Sequence, residues 1–133
     1  MANLLVVEDE PALLEQMVAP LKKAGHVVAT ATDGSEVLKT LGVDGPAMGV
    51  KPDLIVMDVM LKSVNAYMVL SKLKEHPESR DIPTVLVTGY TDLRDVFGKF
   101  KSVKAFVEKP ADNRTIFNAI ADVLSATRAT PQP

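Results

Sequence analysis

Asp53-Leu54-Ile55-Val56-Met57-Asp58 is the stretch on which the reading of this chain turns. Four consecutive apolar residues stand between two acids, with β-branched side chains at the centre. Polar residues do not alternate with them, so the segment reads as a strand near 53–57 covered on both faces, as in a parallel sheet. Asp58 then stands at a strand's carboxyl end. In open α/β sheets ligands bind beyond that end, where the strand order reverses.

The same pattern recurs on either side. Leu4-Leu5-Val6-Val7 runs into Glu8-Asp9, Thr84-Val85-Leu86-Val87 is followed by Thr88, and Ala105-Phe106-Val107 leads through Glu108 to Lys109-Pro110. As neighbouring parallel strands, these runs bring three carboxylates, one hydroxyl and one ammonium to one edge of a sheet. Strand-like segments are expected near 3–7, 27–31, 53–57, 83–87 and 103–107.

Helical periodicity fills the intervals. A helix near 11–24 starts at Pro11 and carries Leu13, Leu14, Met17, Val18 and Leu21 on one face. Pro20 lies inside it at a cost of about 3 kcal/mol and predicts a kink or change of direction. Asp33-Gly34-Ser35-Glu36 fits a capping box before Val37, Leu38 and Leu41. A helix near 66–75 uses Val69, Leu70 and Leu73. Another near 91–100 puts Leu93, Val96, Phe97 and Phe100 together, weakened at Gly98 by about 1 kcal/mol. The last, near 113–127, packs Ile116, Phe117, Ile120, Val123 and Leu124. Strict alternation of five strands and five helices means right-handed βαβ units in a three-layer α/β sandwich.

Bulk properties narrow the classes of function. At 133 residues one domain is expected, large enough for a self-sufficient core. The chain is 47% hydrophobic and 24% charged, ordinary for a globular protein. A net charge of −2 gives no broad footprint for nucleic acid, so no direct nucleic-acid binding is expected. The absence of cysteine excludes disulfides, thiolate metal sites and a Cys nucleophile. No apolar run is long enough for a bilayer and Met1-Ala2-Asn3 does not open a secretory signal, so the default location is cytoplasmic, away from membranes. Gly42–Pro52 reads as an extended loop on the amino side of the third strand, without chemistry. Residues 1–127 form the expected domain, and 128–133 a disordered tail or the start of a linker.

The strand-end residues suit phosphoryl chemistry. Mg²⁺, or Mn²⁺ in its place, takes one or two carboxylates, retained waters and phosphate oxygens, and Glu8, Asp9 and Asp58 offer such a set. An Asp is an accepted nucleophile toward phosphorus. The ion and Lys109 would offset charge on the phosphoryl oxygens, and Thr88 could donate a hydrogen bond to them. Pro110 is a candidate cis-proline: a cis bond there would aim Lys109 inward at modest cost.

As an ordered set, Val7-Glu8-Asp9-Glu10, Asp33-Gly34-Ser35-Glu36, Asp53 to Asp58, Val87-Thr88-Gly89 and Val107-Glu108-Lys109-Pro110 resemble the receiver domain of two-component response regulators over essentially the whole chain. The resemblance implies a doubly wound, flavodoxin-like sheet of strand order 2-1-3-4-5. It implies that Asp58 takes a phosphoryl group from a histidine kinase phosphohistidine in the presence of Mg²⁺. Asp9 would ligate the ion directly, Glu8 mainly through water, and the backbone carbonyl of Met60 would complete the protein ligands. Thr88 and Lys109 would contact the phosphoryl oxygens. Thr88 and Phe106 would form the switch, with Phe106 turning inward as Thr88 moves toward the phosphoryl group. Such a protein is not a conventional enzyme, but it catalyses its own phosphorylation and dephosphorylation on Asp58.

Departures from the family pattern carry information. After Asp58 the chain reads Val59-Met60-Leu61-Lys62-Ser63-Val64-Asn65-Ala66, without the family's usual Pro and Gly. The resemblance implies that Met60 and Tyr90, two residues after the acceptor and after the hydroxyl, flank the phosphoryl group; neither activates water well, so a long-lived phosphoryl group is expected. Three alternatives compete with this reading. A flavin or dinucleotide module needs a glycine- or hydroxyl-rich turn where this chain has Glu8-Asp9-Glu10-Pro11. A Toprim-like enzyme needs a second Asp where Met60 stands. A receiver-like interaction module that signals without phosphorylation is the remaining alternative. The resemblance implies a sensor histidine kinase or phosphotransfer protein as donor, with a downstream target or an attached output domain as receiver of the signal. The face of the fourth helix, fifth strand and fifth helix, edged by Lys99, Lys101 and Lys104, would serve targets or a homodimer.

Overall fold

The computed structural model describes residues 2–43, 45–47, 49–59, 65–89, 94–108 and 113–128. Its strands are β1 (Asn3–Val7), β2 (Val27–Ala31), β3 (Leu54–Asp58), β4 (Thr84–Thr88) and β5 (Val103–Glu108). Between and after them run α1 (Pro11–Lys23), α2 (Gly34–Thr40), α3 (Ala66–Lys74), α4 (Arg94–Phe97) and α5 (Asn113–Arg128). All strand pairs are parallel and the order is β2-β1-β3-β4-β5, as the family resemblance implied.

Alternate residues of the central strands feed two cores. Leu5, Val7, Ile55, Met57 and Leu86 meet Val37 and Leu38 of α2, Val69, Leu70 and Leu73 of α3, and Phe97 of α4. Leu4, Val6, Leu54, Val56, Val85 and Val87 face Met17 and Leu21 of α1 and Ile116, Ile120, Val123 and Leu124 of α5. Every residue of β3 and β4 is buried, which is why their sequences are runs rather than alternations.

Local chemistry sets the element ends. Asp33 caps α2, its Oδ1 accepting from the Glu36 N–H at 2.9 Å. The reciprocal arm differs from a capping box: Glu36 Oε2 accepts from the N–H and Oγ1 of Thr32, at 2.9 and 2.8 Å, one residue before the cap. Gly42 follows α2 at φ +79, and a Cβ there would meet Ala47 N at 2.9 Å, so glycine is required. Asn65 caps α3 by accepting from the Met68 N–H at 3.0 Å.

Several expectations are corrected. The third and fourth strands sit one residue later than 53–57 and 83–87, which makes Asp58 and Thr88 their last residues. Asp53 lies outside β3 and clips it to β1: its N–H donates to Asn3 O, and its Oδ2 accepts from the Asn3 N–H. Helix α1 contains Pro20, which has no N–H to return to the preceding turn, and ends at Lys23, one residue short of 24. In the edge strand β2, Ala31 is buried and Val28 packs half-buried on the α1/α5 core, whereas Val27 is 67% exposed. Helix α4 stops at Phe97, with Gly98 and Lys99 in a turn, so Val96 is exposed rather than on the buried face. Helix α5 runs one residue past 127 to Arg128.

Ile55 is fully buried in the centre of β3, whereas Val27 lies on the exposed edge. Ile55→Ala is expected to lose about 2–5 kcal/mol in urea unfolding, and Val27→Ala less than about 0.5 kcal/mol. Comparable losses at both positions would contradict this core.

Candidate phosphoryl site

The parallel registers place the strand ends side by side. Val7 pairs with Met57, so the next residues, Glu8 and Asp58, emerge at the same level of β1 and β3. Asp58 pairs with Val87, one residue before Thr88, and Thr88 pairs with Glu108. Lys109 follows Glu108 in the chain. A carboxylate pair, a hydroxyl and the strand leading to the lysine therefore occur in lateral sequence along one edge.

Glu8, Asp9 and Asp58 each offer a carboxylate oxygen, and the three lie within 4.8 Å of one another. Glu8 and Asp58 are buried and Asp9 is half-buried. The Asp9 N–H donates to Glu8 Oε2 at 3.0 Å. The Glu8 N–H donates to Ala31 O and the Val59 N–H to Val87 O, so β1 and β3 stay anchored to their neighbours up to the site. An all-oxygen set of three carboxylates is the donor chemistry a hard divalent cation takes, and like charges so close favour a bound cation. The residues present therefore fit Mg²⁺ or Mn²⁺.

Thr88 is buried at the end of β4, next to Asp58. It follows Leu86 by two positions and so shares its face of the sheet. Leu86 pairs with Phe106, which is half-buried against the core containing Leu86, Phe97 and Phe100. Thr88 and Phe106 thus stand on the same face of adjacent strands. The remaining candidates, Met60, Tyr90, Lys109 and Pro110, lie outside the described residues.

A contact that sequence reasoning missed joins α3 to the segment before β5. Tyr67, in the first turn of α3, packs edge-on against Phe97 and Phe100, with ring centroids 6.0 and 5.3 Å away. Lys99 Nζ donates to the Tyr67 hydroxyl and lies 4.6 Å from the centre of its ring. Tyr67 and Lys99 are 32 positions apart, and no local pattern signals such a pair. His26 is structural, its Nδ1 accepting from the Ala2 N–H at 3.1 Å.

The family model of the response regulator receiver domain matches residues 4–121. Protein PilH of Pseudomonas aeruginosa is 31% identical over 128 residues, covering 94% of this chain and 99% of PilH. Response regulator PleD of Caulobacter vibrioides is 34% identical over 128 residues, covering 96% of this chain but only 26% of PleD. The chain thus spans nearly all of one relative and about a quarter of the other. Among solved structures, the signal receiver domain of a signal transduction histidine kinase from Syntrophus aciditrophicus superposes with a TM-score of 0.80. That pair is 27% identical, and the match covers 100% of this chain and 97% of the other.

If the three carboxylates hold a divalent cation, Mg²⁺ at a hundred times its Kd should stabilise the folded protein by about 2.7 kcal/mol. Thermal unfolding with and without EDTA measures this gain, and Asp9→Asn or Asp58→Asn should remove most of it. An undiminished gain in both variants would place the ion elsewhere.

Proposed function

We propose, for a chain that belongs to the response regulator receiver domain family, that Asp58 is the phosphoacceptor of a two-component signalling step. Acceptance of a phosphoryl group is the standard function of this family. One observation supports its assignment to this residue above all: Asp58 ends the central strand, buried, within 4.8 Å of Glu8 and Asp9 and beside Thr88.

In the proposed step an Asp58 carboxylate oxygen attacks the phosphorus of a phosphohistidine. The P–N bond breaks, the imidazole leaves with the electron pair and takes up a proton, and an acyl phosphate forms on Asp58. Burial strips water from the acceptor and strengthens each interaction made with the transferring group. A divalent cation supplies charge neutralisation for the phosphoryl oxygens and for the acids around them. Glu8 and Asp9 would hold it together with Asp58, and the Met60 backbone carbonyl would complete the set. The Thr88 hydroxyl donates to one phosphoryl oxygen and the Lys109 ammonium pairs with another.

Movement of Thr88 toward the phosphoryl group vacates space on the face it shares with Phe106. Phe106 then fills that space, and the surface of α4, β5 and α5 changes. This is a shift between two populations, its size set by the contacts each state makes. Met60 and Tyr90, two residues after Asp58 and Thr88, offer no base to direct water, so slow dephosphorylation is expected. The donor is a histidine kinase or phosphotransfer protein in the cytoplasm. The listener is a protein target, a second copy, or an output domain. Among the described residues no helix is long and apolar enough to cross a membrane.

Beryllofluoride with Mg²⁺, followed by amide NMR, tests the reading. Saturable shifts are expected at Asp58, Thr88 and Phe106, and they should vanish in Asp58→Asn. A silent spectrum in the native protein would instead favour an interaction module that works without phosphorylation. Purified phosphoprotein should also decay slowly with Mg²⁺ present, and rapid release of phosphate would contradict the roles of Met60 and Tyr90.

A further inference from the structure

The opposite edge of the sheet carries a second charged feature. The 75–83 connection enters β4 and the 98–102 connection enters β5 at the strands' amino ends, away from Asp58 and Thr88. Between them lies a concave pocket of about 560 Å³, lined by Lys74, Arg80, Asp81, Lys99, Lys101 and their neighbours. Four cations face one acid there, in a chain whose net charge is −2. Asp81 neutralises little of this: its Oδ2 is 3.9 Å from Arg80 Nε, and both side chains are largely exposed.

One of the cations is held in place before any partner arrives. Lys99 Nζ donates to the Tyr67 hydroxyl and sits 4.6 and 5.8 Å from the ring centres of Tyr67 and Phe100. That aromatic seat reduces the entropy lost when the ammonium is engaged. Lys74, Arg80 and Lys101 are exposed around it.

We infer that this pocket docks a short acidic polypeptide segment of a partner protein, with two or three carboxylates paired to Lys74, Arg80, Lys99 and Lys101. A nucleic acid needs a continuous basic stripe. Here four cations converge on one pocket, and the exposed Glu75 and Glu78 of the 75–83 connection interrupt a longer basic stripe. A partner seated here leaves the Asp58 edge open, so docking and phosphoryl transfer can proceed together on one molecule.

Titration of the full chain with hexaglutamate, followed by amide NMR, tests the inference. Shifts should concentrate at Arg80, Asp81 and Lys99–Ser102, saturate, and weaken as salt is raised. The double variant K74E/K101E should bind at least about tenfold more weakly while its remaining spectrum is unchanged. Should that variant fail to fold, Arg80→Gln serves instead and should also weaken binding. The inference is overturned by no shift in this region, by binding that the folded variant retains, or by tighter binding of a short single-stranded DNA at the same residues. Neither the peptide nor the variants touch Asp58. Failure here therefore leaves the phosphoacceptor reading intact, and a silent beryllofluoride spectrum leaves this one intact.

Discussion

The in-register parallel ladder between β1 and β3 is the constraint on which the rest of the structure depends. Leu4 to Val7 lie against Leu54 to Met57, and their alternate side chains go to different cores. A slip of one residue would send Leu54 and Val56 toward α3 and turn Ile55 and Met57 toward α1 and α5. The register is therefore fixed by packing, and Glu8 and Asp58 are neighbours as a consequence. Two carboxylates about 4 Å apart repel by about 4 kcal/mol at an effective dielectric constant of 20. Each buried aliphatic side chain returns about 1.5–3 kcal/mol, and eight of them flank this ladder, so the core wins. The fold thus holds together charges that would separate in a free chain.

That arrangement gives the sheet two edges with opposite electrostatic character. The carboxyl edge gathers Glu8, Asp9 and Asp58, which suits a cation and, through it, a phosphoryl group. The amino edge of β4 and β5 gathers Lys74, Arg80, Lys99 and Lys101. Between them, Tyr67 in the first turn of α3 grips Phe97, Lys99 and Phe100. The first turn of α3 is thereby connected to the segment that enters β5, on the face that also holds Thr88 and Phe106.

The architecture was legible because its signals are local. Uninterrupted apolar runs marked the buried strands, and the acids and hydroxyl closing those runs marked the strand ends that the sheet brings together. Sheet order was not legible from periodicity, since every permutation of five parallel strands has the same local pattern; it came from the family resemblance. The low cover of β2 follows from its edge position, where only Val28 and Ala31 reach a core and Val27 stays exposed. Helix α4 was drawn too long because Phe100 continues the apolar spacing beyond Gly98. The Tyr67–Lys99 contact and the clip from Asp53 to Asn3 depend on tertiary geometry alone. Capping by Asp33 was visible, but the choice of Thr32 by Glu36 was not.

The central claim is that one carboxylate among the three at the sheet edge carries the phosphoryl group. Borohydride reduction after exposure to a small phosphodonor and Mg²⁺ tests it most directly, because an acyl phosphate is reduced to an alcohol while free carboxylates are untouched. Peptide mass spectrometry should then find Asp58, and neither Glu8 nor Asp9, converted to homoserine. Reduction at Glu8 or Asp9, or an unmodified Asp58 in protein that has incorporated phosphate, would contradict the account.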